Sequence, residues 1–466
     1  MRYRFPVAIA FLVTSALLAL NAFQISFLAG NASNIKSISL ENDAGRALIS
    51  NSIVAPSRYG KGISTKISSD RANTIVSSGN PENSCVRATA LENDKPSLDP
   101  FVSVNENSSL IPASTNKLVT AAVVLSTFDP KSTLDTSLIA EKKSSTLSKA
   151  YIQTSGDPSF VSTSTPPVRR PSYLSPTKIH TFDDFAEQTY KAGIRSISNL
   201  VIDAKWFELD SVEEGWKEDK EQVGQISALN IDEGFAGNAL ASSPTQNAAS
   251  ILKTVFAAKG ITIGNITYST IPDSLKSQDK IISKTSSVSV KDLVSEFLKT
   301  SDNVYAEQVL AAAVHQKIGT VNKETRSKFV KDVLAELDLD SDAYVFVNGS
   351  GYSTNAKASC LFEISVIEKM KESDIDLTSL SSIAGTDGTL KLRFTDLPKE
   401  LKAKTGTLDN VTALTGQLDE DVMFSFISNG AFSDEEGKNL QNKVVNSLVS
   451  FPFVSEPEFP AKFGYQ

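Results

Sequence analysis

The chain has 466 residues, enough for two or three domains with a large core. Its composition is that of an ordinary globular protein and its formal net charge is -8, which argues against nucleic acid or an anionic membrane surface as the main partner, since either favours a clustered Lys/Arg excess. With His180 and His315 the only histidines and Cys85 and Cys360 the only cysteines, no His/Cys cluster has metal-ligand spacing, no cofactor is implied, and a Ser-His-Asp triad is a poor way to activate a serine here.

Arg2 and Arg4 precede an uncharged apolar run from Phe5 to Gly30, so residues 1–30 have the layout of an export signal. The run is also long enough to span a bilayer, and retention as a membrane anchor is the alternative to cleavage. Residues 31–84 are rich in Ser and Asn and lack sustained periodicity, as expected of a linker. The folded part is expected to begin near Cys85, where 85–92 and 100–104 have the composition of a hairpin. The two cysteines are compatible with one disulfide in an oxidising compartment and equally with two separate buried thiols.

Next comes Ile111-Pro112-Ala113-Ser114-Thr115-Asn116-Lys117, running into the apolar stretch Leu118 to Leu125. Ser114 and Lys117, three apart at a helix start, share one helical face. A lysine can take a serine's proton if burial or a second cation lowers its pKa towards neutrality. Alone the pattern is weak: Ser-x-x-Lys also occurs at Ser33/Lys36, Ser175/Lys178, Ser250/Lys253 and Ser277/Lys280. Residues 131–279 have a different texture, short apolar runs broken by polar and proline-containing turns, with one helical stretch near 245–259, and read as an inserted accessory domain with its own core.

Helical texture returns at 289–299, breaks at Thr300-Ser301-Asp302-Asn303, and resumes at 304–315, so Ser301 sits between two helices and Asn303 begins the second. Taken alone, this Ser-Asp-Asn run is equally a capping sequence. Asn348-Gly349-Ser350-Gly351 and 385–389 are turns. A β-meander follows at 401–408, 411–418 and 422–429, its turns carrying Asp-Asn and Asp-Glu, and a closing helix spans 435–450. The chain's one Lys-Thr-Gly, Lys404-Thr405-Gly406 followed by Thr407, lies on the first meander strand.

The order Ser114-x-x-Lys117, Ser301-Asp302-Asn303, Lys404-Thr405-Gly406 is the triple signature of penicillin-binding proteins and class A β-lactamases. With Gly156-Asp157-Pro158-Ser159, Ser227-Ala228-Leu229-Asn230, Asn348 to Gly351 and Gly385 to Leu390, the chain resembles the DacB-type D-alanyl-D-alanine carboxypeptidase/endopeptidase family, peptidase family S13, the low-molecular-mass class C penicillin-binding proteins. The resemblance covers about residues 85–450. It implies an α+β penicillin-binding/serine β-lactamase-like fold, an antiparallel sheet flanked by helices plus a helical lobe, formed by 85–130 and 280–455 around the insertion at 131–279. The 187 positions from Ser114 to Ser301 are short for the family, which implies that a nested accessory domain is reduced or absent.

The implied substrates are peptidoglycan stem peptides or cross-links, with β-lactams as covalent inhibitors and the cell envelope of an exporting bacterium as the location. On this reading Ser114 attacks the peptide carbonyl, Lys117 takes its proton, and Lys404 keeps the pKa of Lys117 low. The backbone N–H groups of Ser114 and Thr407 form the oxyanion hole, Ser301 relays a proton to the leaving amine, and Asn303 holds Lys117. Lys404, Thr405 and Thr407, with Gly406 between them, receive the terminal carboxylate, while Asp302 is structural. The alternatives are a β-lactamase and an inactive envelope protein that binds or senses peptidoglycan.

Overall fold

In the computed structural model the described residues are 70, 83–92, 95–96, 99–162, 180–213, 215–216, 224–237 and 239–449. The export segment and nearly all of the linker expected at 1–84 lie outside them. The first hairpin forms as expected: β1 (Ser84–Glu92) pairs antiparallel with β2 (Val102–Val104). One turn of 3-10 helix, Ala113–Asn116, then leads into α1 (Lys117–Thr127). Lys117 through Leu125 are all buried. A helix apolar all round belongs to a core rather than a surface, and α1 packs against helices on several sides.

The chain next builds a second sheet. Its elements are β3 (Thr133–Ile139), β4 (Thr146–Gln153), α2 (Phe182–Lys191), β5 (Ser196–Asp203), α3 (Pro244–Ala258), β6 (Thr262–Ser269) and β7 (Ile281–Ser289). The strand order is β6-β5-β4-β3-β7, parallel between β6, β5 and β4 and antiparallel thereafter. Phe182 and Phe185 of α2 and Leu252 and Phe256 of α3 pack on Leu200 and Ile202 of β5, a core separate from the helical one. The second sheet therefore runs past residue 279, the limit expected for the insertion: β7 pairs with β3 and ends at Ser289, which caps the following helix by accepting from Asp292 N at 3.1 Å. Six of the nine residues of β7 are polar, so no apolar run marks it as a strand of this sheet.

Four helices follow: α4 (Val290–Thr300), α5 (Asn303–Ile318), α6 (Lys323–Glu336) and α7 (Cys360–Glu372). Val304 through Val314 of α5 are buried without interruption, which makes α5 the centre of the helical lobe beside α1 and α4. A two-residue strand, β8 (Ser382–Ile383), precedes the meander β9 (Leu401–Leu408), β10 (Val411–Leu418) and β11 (Val422–Asn429), at the expected limits. The main sheet runs β8-β9-β10-β11-β1, antiparallel throughout, with β2 and the short strand Lys95–Pro96 both on the outer edge of β1. α8 (Asp434–Leu448) begins with a capping box between Ser433 and Glu436 and closes one face, burying Val444, Val445 and Leu448 on Val86, Leu414 and Phe426. Among the described residues no helix is long and apolar enough to cross a membrane.

Cys85 of β1 and Cys360, the first residue of α7, are disulfide-bonded across 275 positions and buried with Leu110, Ala413 and Ile427. The bond fixes the start of α7 to the sheet and closes a long loop, and removing such a bond costs roughly 2–5 kcal/mol. Non-reducing peptide mapping should recover a Cys85/Cys360 cross-linked species. The double variant Cys85→Ser/Cys360→Ser should unfold at clearly lower denaturant, whereas an unchanged midpoint would remove the bond from the account of stability.

Candidate active site

The turn that carries Ser114 is held in an unfavourable backbone state by its neighbours. Ala113 has φ +51°, a left-handed conformation that a residue with a Cβ adopts only when its surroundings insist. Two glycines lie against the turn. A Cβ on Gly351 would fall 2.1 Å from Ala113 O and 2.6 Å from Asn116 Cβ, and one on Gly406 would fall 2.6 Å from Pro112 O. Only glycine lets the 348–351 loop and strand β9 approach this closely. Asn116 is buried and ties the turn to the same loop, donating from Nδ2 to Asn348 O at 3.0 Å and Gly349 O at 3.2 Å, while Tyr344 OH donates to its Oδ1. Ser114 itself stays half-exposed above this buried foundation.

Lys117 is fully buried, and its Nζ has three oxygen neighbours: Asn303 Oδ1 at 2.7 Å, Ser350 O at 2.7 Å and Ser114 Oγ at 3.1 Å. A neutral lysine amine has two N–H donors and one lone pair. The two carbonyl-type oxygens cannot donate, so they take the two N–H bonds and leave the lone pair for the Ser114 hydroxyl proton. Burial lowers the Lys117 pKa to about 7, against the opposing pull of the Asp302 and Glu307 charges. Burial is the leading cause of the low Lys117 pKa, and the lysine–lysine repulsion expected from the sequence acts between the two amines. Lys404 is depressed well below the ordinary lysine range, by burial first and by Lys117 second, with Glu363 opposing.

Ser301 terminates α4 in the left-handed region, φ +63°, and so leaves the helix axis towards β9. Its Oγ accepts from Lys404 Nζ at 2.9 Å, and the same ammonium donates to Thr405 O at 2.7 Å. Asp302 caps α5, accepting from Tyr305 N at 2.9 Å, as its structural reading requires. Thr405 Oγ1 donates to Thr389 Oγ1 at 2.9 Å, and Thr407 is exposed at the end of the row. A bolt holds the end of α4 to the sheet: Lys299 pairs with Asp387 at 2.5 Å, Asp387 accepts from Ile383 N at 2.8 Å, and Ser382 Oγ donates to Lys299 O at 3.0 Å. All eight residues singled out in the sequence thus lie on elements converging at one place, where Ser114 meets Lys117, Lys117 meets Asn303, and Ser301 meets Lys404. Ser250 and Lys253 stand exposed on α3, and Ser277 is exposed in the loop after β6, so neither of those Ser-x-x-Lys pairs shares this environment.

Several supporting residues escaped the sequence. Glu363 on α7 is buried and accepts from Thr115 Oγ1 beside the nucleophile, from Thr415 Oγ1 and from Ser425 Oγ at 3.0 Å. Thr415 lies opposite Lys404 in the β9–β10 register and Ser425 opposite Thr415 in the next, so the three share one sheet face. Burial raises the Glu363 carboxyl pKa, and the three hydroxyls oppose that rise. Ser350 was legible only as part of a glycine turn, because its contribution is a backbone carbonyl that any residue could supply. Glu363 shows no local signal at all.

A family model for the D-Ala-D-Ala carboxypeptidase 3 (S13) family matches residues 92–242 and 238–450. A carboxypeptidase of Mycobacterium tuberculosis is 25% identical over 367 residues, covering 73% of this chain and 75% of its own. Carboxypeptidase DacB of Mycolicibacterium smegmatis is 25% identical over 343 residues, covering 69% and 71%. In fold, the crystal structure of penicillin binding protein 4 (dacB) from Haemophilus influenzae superposes with a TM-score of 0.64 at 19% identity, over 80% of this chain and 99% of that one.

The Lys117 amine should titrate near neutrality, charged below pH 7 and neutral above it. Following lysine 13Cε shifts with pH, with Lys117→Ala to assign the resonance, should give a Lys117 midpoint near 7. A Lys117 midpoint above 9 would refute the buried-amine description.

Proposed function

The chain belongs to the D-Ala-D-Ala carboxypeptidase (S13) family, and from that premise we propose that it works as a serine carboxypeptidase through an acyl-enzyme at Ser114, with Lys117 as the base. The observation that carries the proposal is the arrangement at Lys117 Nζ, whose two N–H groups are spent on Asn303 Oδ1 and Ser350 O, leaving its lone pair for Ser114 Oγ. The Ser114 proton passes to Lys117 as Oγ attacks the carbonyl before the terminal D-alanine. Negative charge develops on the carbonyl oxygen, where the backbone N–H groups of Ser114 and Thr407 receive it; single donors in such holes are often worth about 3 kcal/mol. The C–N bond then breaks and the leaving amine takes a proton by way of Ser301 Oγ, which Lys404 holds at 2.9 Å. Water, or an acceptor amine, attacks the ester carbonyl and releases Ser114 with its proton restored.

Lys404, Thr405 and Thr407 receive the substrate's terminal carboxylate. Lys404 is fully buried, so an entering carboxylate meets little screening water and draws the amine back towards its charged form, against the burial that depresses it. Glu363, beneath Lys404, favours the protonated ammonium that this role needs. Cross-links in which the terminal D-alanine is amide-bonded through a neighbouring stem offer the same scissile bond, so endopeptidase activity uses the same residues. Substrates of this kind place the working enzyme in the cell envelope, delivered by the segment at 1–30 either as a cleaved signal or as an anchor. The peptidase domain is formed by 85–130 and 290–449, around the accessory insertion. A β-lactam presents a strained amide to the same nucleophile and should acylate it.

Purified protein should take up a fluorescent penicillin as a long-lived adduct and should release D-alanine from a peptide ending in D-Ala-D-Ala. Ser114→Ala should abolish both, and Lys117→Ala should slow acylation by about 100-fold or more. The acylation rate should fall about tenfold for each pH unit below 7, because protonation of Lys117 removes the base. Label persisting on Ser114→Ala, or an unchanged rate in Lys117→Ala, would defeat the proposed roles. Label that vanishes within seconds would identify a β-lactamase.

A further inference from the structure

The carbonyl of Ser350 does not hold itself in place. It belongs to the loop 348–351, where the Gly351 N–H donates within the loop to Asn348 Oδ1, while the Gly349 and Ser350 N–H groups point the other way, into the helical lobe. There Glu307 Oε1 accepts from Ser350 N at 2.7 Å and Glu307 Oε2 accepts from Gly349 N at 2.9 Å. Glu307 lies one helical turn after Asn303 on α5, so both side chains leave the same face of the helix. One helix face thus provides both acceptors of Lys117: Asn303 directly, and Ser350 O through the peptide units that Glu307 grips. The approach is close enough that a Cβ on Gly349 would fall 3.2 Å from Glu307 Oε2 and 2.9 Å from Leu310 Cδ2. Thr120 Oγ1 of α1 donates to Gly349 O at 2.6 Å and fixes the loop from the opposite side.

We infer that Glu307 is a positioning residue for acyl transfer, setting the Ser350 carbonyl against Lys117 and so keeping the Lys117 lone pair on Ser114. This rests on the reading of Lys117 as the base. Glu307 is fully buried and is itself oriented by Arg326, whose Nη1 lies 2.8 Å from Glu307 Oε2 and which clasps Glu213 with Nη1 at 2.8 Å and Nη2 at 3.0 Å. The charged and titratable groups around the pair are Asp302, the cap of α5, Glu307 from α5 and Lys404 from β9 on the Lys117 side, and Arg326 from α6, Glu213 and Tyr344 on the Glu307 side. Replacing Glu307 by Gln removes a negative charge that favours protonated Lys117 and leaves one oxygen to accept two loop N–H groups. Both changes move Lys117 in the same direction: losing the charge and losing a well-placed acceptor each disfavour the ammonium form.

The test is the pH dependence of the acylation rate constant with a fluorescent penicillin, measured on folded wild type, Glu307→Gln and Glu213→Gln, with Lys117→Ala alongside. Glu307→Gln should lower the plateau roughly 10- to 100-fold, the scale of a misplaced reacting group. It should also move the acid limb to lower pH by about half a unit. Glu213→Gln breaks the same ion network without touching the loop, and should lower thermal stability while leaving the limb in place. Loss of folded protein alone would scale the amplitude of Glu307→Gln and leave the limb where it was. An unmoved limb with an intact plateau, or an equal movement in Glu213→Gln, would overturn the inference. If Glu307→Gln does not fold, Glu307→Asp keeps a charge opposite Arg326 but draws the carboxylate back from the two N–H groups, and it should still lose rate; a wild-type profile would overturn the inference. An active Lys117→Ala would instead remove the base on which the inference stands, and so separates the two failures.

Discussion

The structure depends on one lysine amine kept away from water with its two N–H bonds accounted for. Burying Lys117 is unfavourable for its charged form, and that is its use: it brings the pKa down to about 7, where a base can work. Desolvation alone would give a neutral but undirected amine. The direction comes from Asn303 Oδ1 and Ser350 O, which leave only the lone pair for Ser114. The helical lobe, the 348–351 loop and the 3-10 turn before α1 serve this arrangement, and the near-complete burial of α1 and α5 excludes the water that would otherwise compete for the amine.

Holding such an arrangement requires local sacrifices. Ala113 and Ser301 both lie in the left-handed region, conformations of order 1–3 kcal/mol above the ordinary ones, and both belong to the site. Close packing maintains them: Gly351 and Gly406 press on the turn around Ala113, and the Lys299–Asp387 bolt fixes the helix end that Ser301 terminates. The turn that presents Ser114 is therefore set less by its own sequence than by a loop and a strand that arrive from far along the chain.

Two buried carboxylates support the site from opposite sides. Glu363, on the helix that the Cys85–Cys360 bond anchors to β1, joins the turn at Thr115 to the sheet face that carries Lys404. Glu307, held by Arg326, joins α5 to the loop behind Lys117. A buried carboxylate is costly unless it is well hydrogen-bonded, and both of its oxygens are engaged in each case, by hydroxyls at Glu363 and by backbone N–H groups and a guanidinium at Glu307. The cost is consistent with a need for rigidity at places where a small displacement would misdirect a proton.

Much of this was legible in the chain. Consecutive strand-like runs with two-residue acidic or amide turns located the meander at its observed limits, helical texture with a Ser-Asp-Asn break located Ser301 and Asn303, and motif order assembled the family signature. The strand Ile281–Ser289 was missed because its residues are largely polar and its pairing partner lies far back, in Thr133–Ile139. The cysteines left two readings open, since spacing cannot measure a distance. By itself the sequence determined which residue types could do the chemistry and which local elements would carry them, because periodicity, caps and turns are short-range. The tertiary structure alone decided which of the described Ser-x-x-Lys pairs has a buried lysine, where the lone pair of Lys117 points, and what orients its acceptors. Asn303 and Ser350 lie 186 and 233 positions away from Lys117, and a pKa or a hydrogen-bond direction is a property of what surrounds a group in space.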